Sequence, residues 1–219
     1  MASMAHRVVQ GLVGGCAVLL GVTVCGCAAP QYTYVANSGA STYFKVPNGW
    51  HKISDTSLAN VLKQETGSSG GGWSVAYEGG KTPTAKDFLD FDTAQPFVFA
   101  EVGDLSSASS SALSYDGMRD FFLPVTSTTR QEVATEGFPF TDFQQIRDQV
   151  LTPADGVHGV RETFDYTDGK QADTFDEIVL TNADQTEVYM LVLHCTTACY
   201  SQDQTQINDV MTSFTIRSS

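Results

Sequence analysis

Hydrophobic positions divide this chain into stretches of different pattern. A largely apolar run occupies 8–24, a small and polar segment without periodicity follows over 28–40, and alternating or helical patterns fill the rest. In the patterned part, 42–46 has strand residues, and Pro47-Asn48-Gly49 turns the chain into Trp50. Asp55 is placed to cap a helix whose Leu58, Val61 and Leu62 share one face. A Gly-rich loop over 67–72 ends that helix, and 73–78 alternates as a strand. Residues 86–91 predict a short helix, and 96–102 a strand of nearly continuous apolar character. Ser and Ala dominate 105–114, which predicts a mobile loop. A helix over 115–123 is expected to stop at Pro124, with another short one over 127–134.

The second half is plainer. Strand patterns cover 145–151, 159–166, 174–181 and 187–195. Asp168-Gly169 and Asn182-Ala183-Asp184-Gln185 are tight-turn residues, so the last three runs predict an antiparallel meander. Ser201 or Asp203 is expected to cap a helix carrying Ile207, Val210 and Met211 on one face, and 213–217 to close as a strand. Strands in runs with helices at both ends give an α+β class, one antiparallel sheet of about six strands covered by helices.

The apolar run carries an address. Arg7 precedes it and no Lys or Arg follows until Lys45, which is the charge order of a secretory signal. The run closes on Val24-Cys25-Gly26-Cys27, which resembles the lipobox of bacterial lipoproteins. That resemblance implies a diacylglyceryl group on the Cys27 thiol, a cut just before it, and acyl chains that hold the protein on the membrane. Val24 is too bulky to precede a cut at Cys25. Val13-Gly14-Gly15-Cys16 leaves too few residues after Arg7 for an apolar core of roughly 7–15. The alternative is an uncleaved transmembrane anchor, for which about 18 apolar residues suffice. Both readings place 28–219 outside. The expected division is a lipoprotein signal peptide over 1–26, a lipidated tether over 27–40 and a single domain over 41–219.

With 219 residues, 42% hydrophobic and 17% charged, the chain is long and apolar enough for one core. Its formal charge of −13 becomes one unit more negative if Arg7 leaves with the signal. Such a field repels phosphate polymers and anionic headgroups, so nucleic acid is not an expected partner. Removing Cys16 and Cys25 with the signal and assigning Cys27 to lipid leaves Cys195 and Cys199, an even remainder that reads as a disulfide. So short a loop adds about 2 kcal/mol on the chain-entropy model. The alternative is a metal site built on His194, Cys195 and Cys199. Against it, His194 and Cys195 would point to opposite faces of a strand, and a fourth ligand is missing nearby.

Tyr43-Phe44-Lys45-Val46-Pro47-Asn48-Gly49-Trp50 resembles the opening hairpin of PsbP-like domains. The end of the chain, Leu193-His194-Cys195 through Cys199, then Ile207, Val210 and Ser213-Phe214-Thr215, is similar to actinobacterial lipoproteins of the LpqN type. The match covers both ends of the mature domain, and 66–140 only poorly. It implies a PsbP-like α/β/α sandwich and, by association, a non-catalytic binding or accessory role in the cell envelope. It brings no catalytic residues.

Candidate chemistry is sparse. Gly67-Ser68-Ser69-Gly70-Gly71 matches G-x-S-x-G, but a nucleophile elbow needs a strand before the Ser and a helix after it, and the order here is reversed. His51, His158 and His194 could complete a triad only through tertiary geometry. Two acidic clusters, Asp87/Asp90/Asp92 and Asp165/Asp168/Asp173/Asp176/Glu177, lack the alternation of a calcium loop. They read as a solvated helix face and a hairpin tip. Aromatic residues crowd the middle third, mostly as core. Glu136-Gly137-Phe138-Pro139-Phe140-Thr141 breaks any helical or strand period, so Phe138, Phe140 and Phe143 are the candidate binding surface. The expected protein is therefore an anchored extracytoplasmic lipoprotein that binds an envelope protein or an apolar ligand, with no cofactor and no metal. The alternative is an extracytoplasmic serine hydrolase using Ser69, His51 or His158.

Overall fold

Trp, Phe and β-branched residues facing the core, with turn residues between the runs, organise the chain into two antiparallel sheets and flanking helices. The computed structural model describes residues 31–66, 72–80, 82–88, 93–169 and 171–217. The apolar run, Cys27, Ser69, Asp90 and Asp92 lie outside the described residues.

In chain order the elements are β1 (Tyr32–Asn37), β2 (Thr42–Pro47), β3 (His51–Lys52), α1 (Asp55–Thr66), β4 (Gly72–Glu78), a 3₁₀ turn (Ala85–Phe88) and β5 (Phe97–Asp104). Then come α2 (Ser107–Ala112), α3 (Tyr115–Arg119), α4 (Ser127–Thr135), β6 (Thr141–Leu151), β7 (His158–Asp168), β8 (Gln171–Thr181), β9 (Glu187–Thr196), α5 (Thr197–Met211) and β10 (Thr215–Ile216). The large sheet has seven strands in the order β3-β4-β5-β9-β8-β7-β6, with every pair antiparallel. The predicted meander is its centre. The small sheet has the order β1-β2-β10.

Both faces of the large sheet are covered. On one face, the small sheet and α5 bring Val46, Phe44, Ile207, Val210 and Met211 against Val98, Ala100, Leu191 and Leu193. On the other, α1, the 3₁₀ turn and α3 bring Leu58, Phe88 and Met118 against Phe97, Phe99, Val179 and Val192. Burying each such side chain contributes about 1.5–3 kcal/mol. A third, smaller cluster holds Leu123, Val125, Phe164, Tyr166 and Phe175.

The departures from expectation have local causes. Residues 32–37, read as tether, form β1 because Val35 is buried and the Asn37 carboxamide accepts from the Gly39 and Ala40 amides to close the hairpin into β2. Ser54, one residue before Asp55, caps α1 through its hydroxyl and the Ser57 amide. The loop over 105–114 contains α2, capped by Ser106. Of the helix expected over 115–123 only α3 forms, since Asp120 turns out to accept from the Val125 and Thr126 amides and both threonine hydroxyls nearby. Strand β6 begins at Thr141, earlier than expected, and with the two-residue β3 it takes the sheet beyond about six strands.

Neither Ser201 nor Asp203 caps the last helix. The Thr196 hydroxyl accepts from the Cys199 amide, so α5 begins at Thr197, directly off β9. A disulfide joins Cys195 to Cys199 across this corner, with Cα atoms 6.0 Å apart. Replacing Thr196 with alanine is expected to cost about 1 kcal/mol, read as a lower urea midpoint with an unchanged slope. A midpoint equal to the parent's would show the cap to be dispensable there.

Candidate functional site

The described residues gather the three candidate phenylalanines into one groove. Helix α4 ends in a Schellman turn, in which the Phe138 amide reaches back to the Val133 carbonyl and Gly137 takes φ +85°. That turn throws Phe138 and Phe140 across the end of β7. The register slips between Thr141 and Gln144, with Asp142 at φ 54°, and this bulge sets Phe143 against the same place.

Tyr166 on β7 is the floor. Its ring centroid lies 5.7 Å from Phe138, 5.9 Å from Phe140 and 5.3 Å from Phe143. Its hydroxyl donates to the Pro124 carbonyl, and burial pushes its pKa up to about 12, so it stays a neutral donor. Arg130 on α4 lies over Phe143, with its guanidinium carbon 4.1 Å from the ring centroid. Its Nε donates to the Val125 carbonyl, which holds the head in place. The groove is open to solvent and measures about 360 Å³, with Ala134, Thr141 and Asp142 completing the wall. All three phenylalanines are half-buried, packed inward on the third core cluster and open outward to the groove. Their inner sides are thus core packing, and their outer sides line the groove. Arg130 and Tyr166 were not singled out from the sequence.

Next to the groove, an acidic row crosses three strands. Asp148 on β6 pairs in register with Glu162 on β7, and Glu162 with Glu177 on β8, so all three share a face. Arg119 on α3 donates to Asp148 at 2.9 Å, to Glu162 at 3.2 Å and to Asp116 at 2.9 Å, and Gln145 donates to Glu162 at 2.8 Å. Burial and the neighbouring Asp148 raise the Glu162 pKa to about 7, while Arg119 pulls Asp148 below the usual carboxylate range. Burial raises Glu177 well above its ordinary value. On the opposite face Arg161 forms a two-pronged pair with Asp176, at 2.9 and 2.8 Å, and the Tyr200 hydroxyl donates to the same carboxylate at 2.8 Å. The cluster read as a hairpin tip is thus split between two faces and largely buried. Asp165 takes a hydrogen bond from Thr174 at 2.6 Å, and Asp168 alone of the cluster is exposed at the β7–β8 turn.

The remaining candidates do not converge. His194 is buried between Phe97 and Phe175, with centroids 5.5 and 5.6 Å away, on the face opposite Cys195. Burial lowers its pKa to about 3. The nitrogens of His158 meet the Gly156 carbonyl at 3.0 Å and the Gln185 amide at 3.2 Å, and its ring lies against Tyr115. His51 is exposed on β3. Asp87 stands beside the buried Glu78 and helps burial raise that carboxyl to about 7. Among the described residues, no cluster of three or more His, Cys, Asp or Glu could hold a metal ion.

No protein-family model matches this chain, and no curated protein matches it. Solved structures do. The solution structure of cyanobacterial PsbP (CyanoP) from Synechocystis matches with a TM-score of 0.52 at 15% identity, over 88% of this chain and 96% of that one. LpqN, involved in cell envelope biogenesis of Mycobacterium tuberculosis, matches with a TM-score of 0.46 at 15% identity, over 86% and 91%. The Ran-binding protein Mog1p of Saccharomyces cerevisiae gives 0.47 at 9%, over 86% and 96%. The seven-stranded antiparallel sheet, helices on both its faces and the CyanoP match over most of both chains give this protein a PsbP-like fold.

Proposed function

We propose that this protein is an extracytoplasmic binding or accessory protein, held at the membrane through Cys27, that takes an apolar or aromatic segment of an envelope partner into the groove between α4 and β6. The observation that carries this reading is the groove itself. Four aromatic side chains line an open space of about 360 Å³ beside a fixed guanidinium. Apolar lining with one placed polar group is the usual make-up of a ligand site. The Val24-Cys25-Gly26-Cys27 motif supports the anchor, and the Cys195–Cys199 disulfide fits an oxidising compartment. Accessory roles are also what the resemblance to PsbP-like and LpqN-type proteins suggests.

A photoreactive phenylalanine analogue at Phe140, introduced into the protein in its own envelope, tests the groove. The expected result is one discrete adduct, lost when Arg130 and Phe138 are both replaced by alanine. Equal adducts from Phe140 and from Asn48, on a different part of the surface, would remove the groove from consideration.

A further inference from the structure

The small sheet presents an outer face unlike the rest of this acidic molecule. Its inner side chains, Val35, Phe44 and Val46, are buried in the core. Pairing in register puts Tyr34 beside Lys45 and Tyr43 beside Thr215 on the other side. There Lys45 lies 4.3 Å from the centroid of Tyr32, and Arg217 lies 4.8 Å from that of Tyr43. Tyr34 is 80% exposed, more than any other large hydrophobic residue described. Between the two cation–tyrosine pairs is a hollow of about 250 Å³ lined by Tyr34, Tyr43, Lys45, Ser213, Thr215 and Arg217. Acids lie at its margins: Asp209 accepts from the Tyr32 hydroxyl at 2.7 Å, and Asp155, Asp184 and Glu187 line a separate hollow that Arg217 also borders. The chain has 12 Lys and Arg against 25 Asp and Glu, so two cations and no acid among the lining residues is a local reversal of sign.

Tyrosine, lysine and arginine together are the residues of a membrane–water interface, where an apolar body and a polar tip are both satisfied. We infer that this outer face of the small sheet lies on the bilayer, with Lys45 and Arg217 against the phosphates of anionic phospholipid headgroups. The inference rests on the proposed anchor. From Cys27 to Tyr32 the chain can extend at most about 18 Å, whatever its conformation. A domain of this length is about 40 Å across. The tether is therefore too short for the far end of the large sheet to turn to the membrane, and β1, the first strand after it, stays close. Charge then selects the face. The acidic remainder of the surface is repelled by anionic lipid, and the sheet with Lys45 and Arg217 is attracted.

Hydrogen exchange on the full exported chain, with vesicles of phosphatidylglycerol and phosphatidylcholine, tests this. The amides of 32–47 and 215–217 are expected to exchange at least about tenfold more slowly on anionic vesicles than in detergent, since each Lys or Arg at an anionic surface contributes about fivefold. Those of the β7–β8 hairpin should not change. Lys45→Glu with Arg217→Glu should abolish the slowing while leaving the hairpin protected, which shows the variant folded, and Tyr34→Ser should reduce it. Sedimentation of the same samples separates the two ideas. A chain that sediments with vesicles but shows protection elsewhere, or none, keeps the anchor and overturns the face. If it sediments only with anionic vesicles and the charge reversal releases it, the face stands and the anchor falls. Failure to sediment with either lipid overturns both.

Discussion

Replacing Arg161 with methionine is expected to lower the unfolding free energy by about 3–5 kcal/mol, the largest effect of any single polar substitution in this protein. Asp176 is fully buried, and Arg161 meets both its oxygens. Without the guanidinium, the carboxylate keeps only the Tyr200 hydroxyl and its charge is left buried between β8 and α5. The cost measures the stranded charge and not the worth of the pair. Arg161→Met combined with Asp176→Leu should therefore recover most of the loss, because a buried ion pair exchanged for apolar volume is often near neutral. Urea unfolding of the single and double variants decides it. A single variant that loses less than about 1 kcal/mol would mean that the pair behaves like a surface one.

Stability is expected to fall as the pH rises from 5 to 8, opposite to the trend of a protein held by ordinary carboxylate ion pairs. Glu162 and Glu78 have folded pKa values raised to about 7, and Glu177 is raised well above its ordinary value, in each case mainly by burial. A carboxyl raised by folding holds its proton more tightly folded than unfolded. Its stabilisation is complete below the ordinary value of 4.5 and is lost as the pH climbs through the folded value. For Glu162 alone this amounts to about 3 kcal/mol by pH 8. Asp148 and Asp120 are lowered and work in the other direction, losing their contribution only as the pH drops through their folded values. The optimum therefore lies near pH 5. Glu177→Gln keeps the shape and removes the ionisable proton, so it should be more stable than the parent at pH 8 and close to it at pH 5. A urea midpoint that is flat or rising between pH 5 and 8 in the parent would refute this account of the acidic row.

These acids show how far a sequence reaches. In β7, Glu162 lies between Arg161 and Thr163, and in β8 Glu177 follows Asp176, so with polar residues beside each acid the local pattern does not say which side faces inward. It is α3 and the turn after it, folding Arg119, Met118 and the Phe122 backbone over that face, that make them interior. The meander itself was legible because Asp168-Gly169 and the turn at Asn182 separate runs rich in apolar, β-branched and aromatic residues. Caps were harder. Thr196 looked like part of a cysteine loop, and Ser106 like one more residue of a Ser/Ala-rich stretch, yet each holds a helix start through one hydroxyl. Strand β1 escaped notice because it has one buried side chain, Val35. The groove was half readable. Phe138, Phe140 and Phe143 stood out by breaking periodicity, whereas Arg130 and Tyr166 reach the same place from other elements, which spacing along the chain does not reveal.

Strand β6 ends the large sheet with an eleven-residue edge whose outer amides and carbonyls have no partner strand among the described residues. Two register breaks interrupt it, between Thr141 and Gln144 and between Gln145 and Arg147, and Asp142, Arg147 and Asp148 add charge along it. For molecules confined to a surface, encounters are far more frequent than in bulk, and neighbours share one up-and-down orientation that favours edge-to-edge zippering. A kinked and charged border prevents a first pair from becoming a template for a third. If the proposed Cys27 anchor holds the protein on a membrane, such an edge lets crowded copies in that two-dimensional layer diffuse past each other singly.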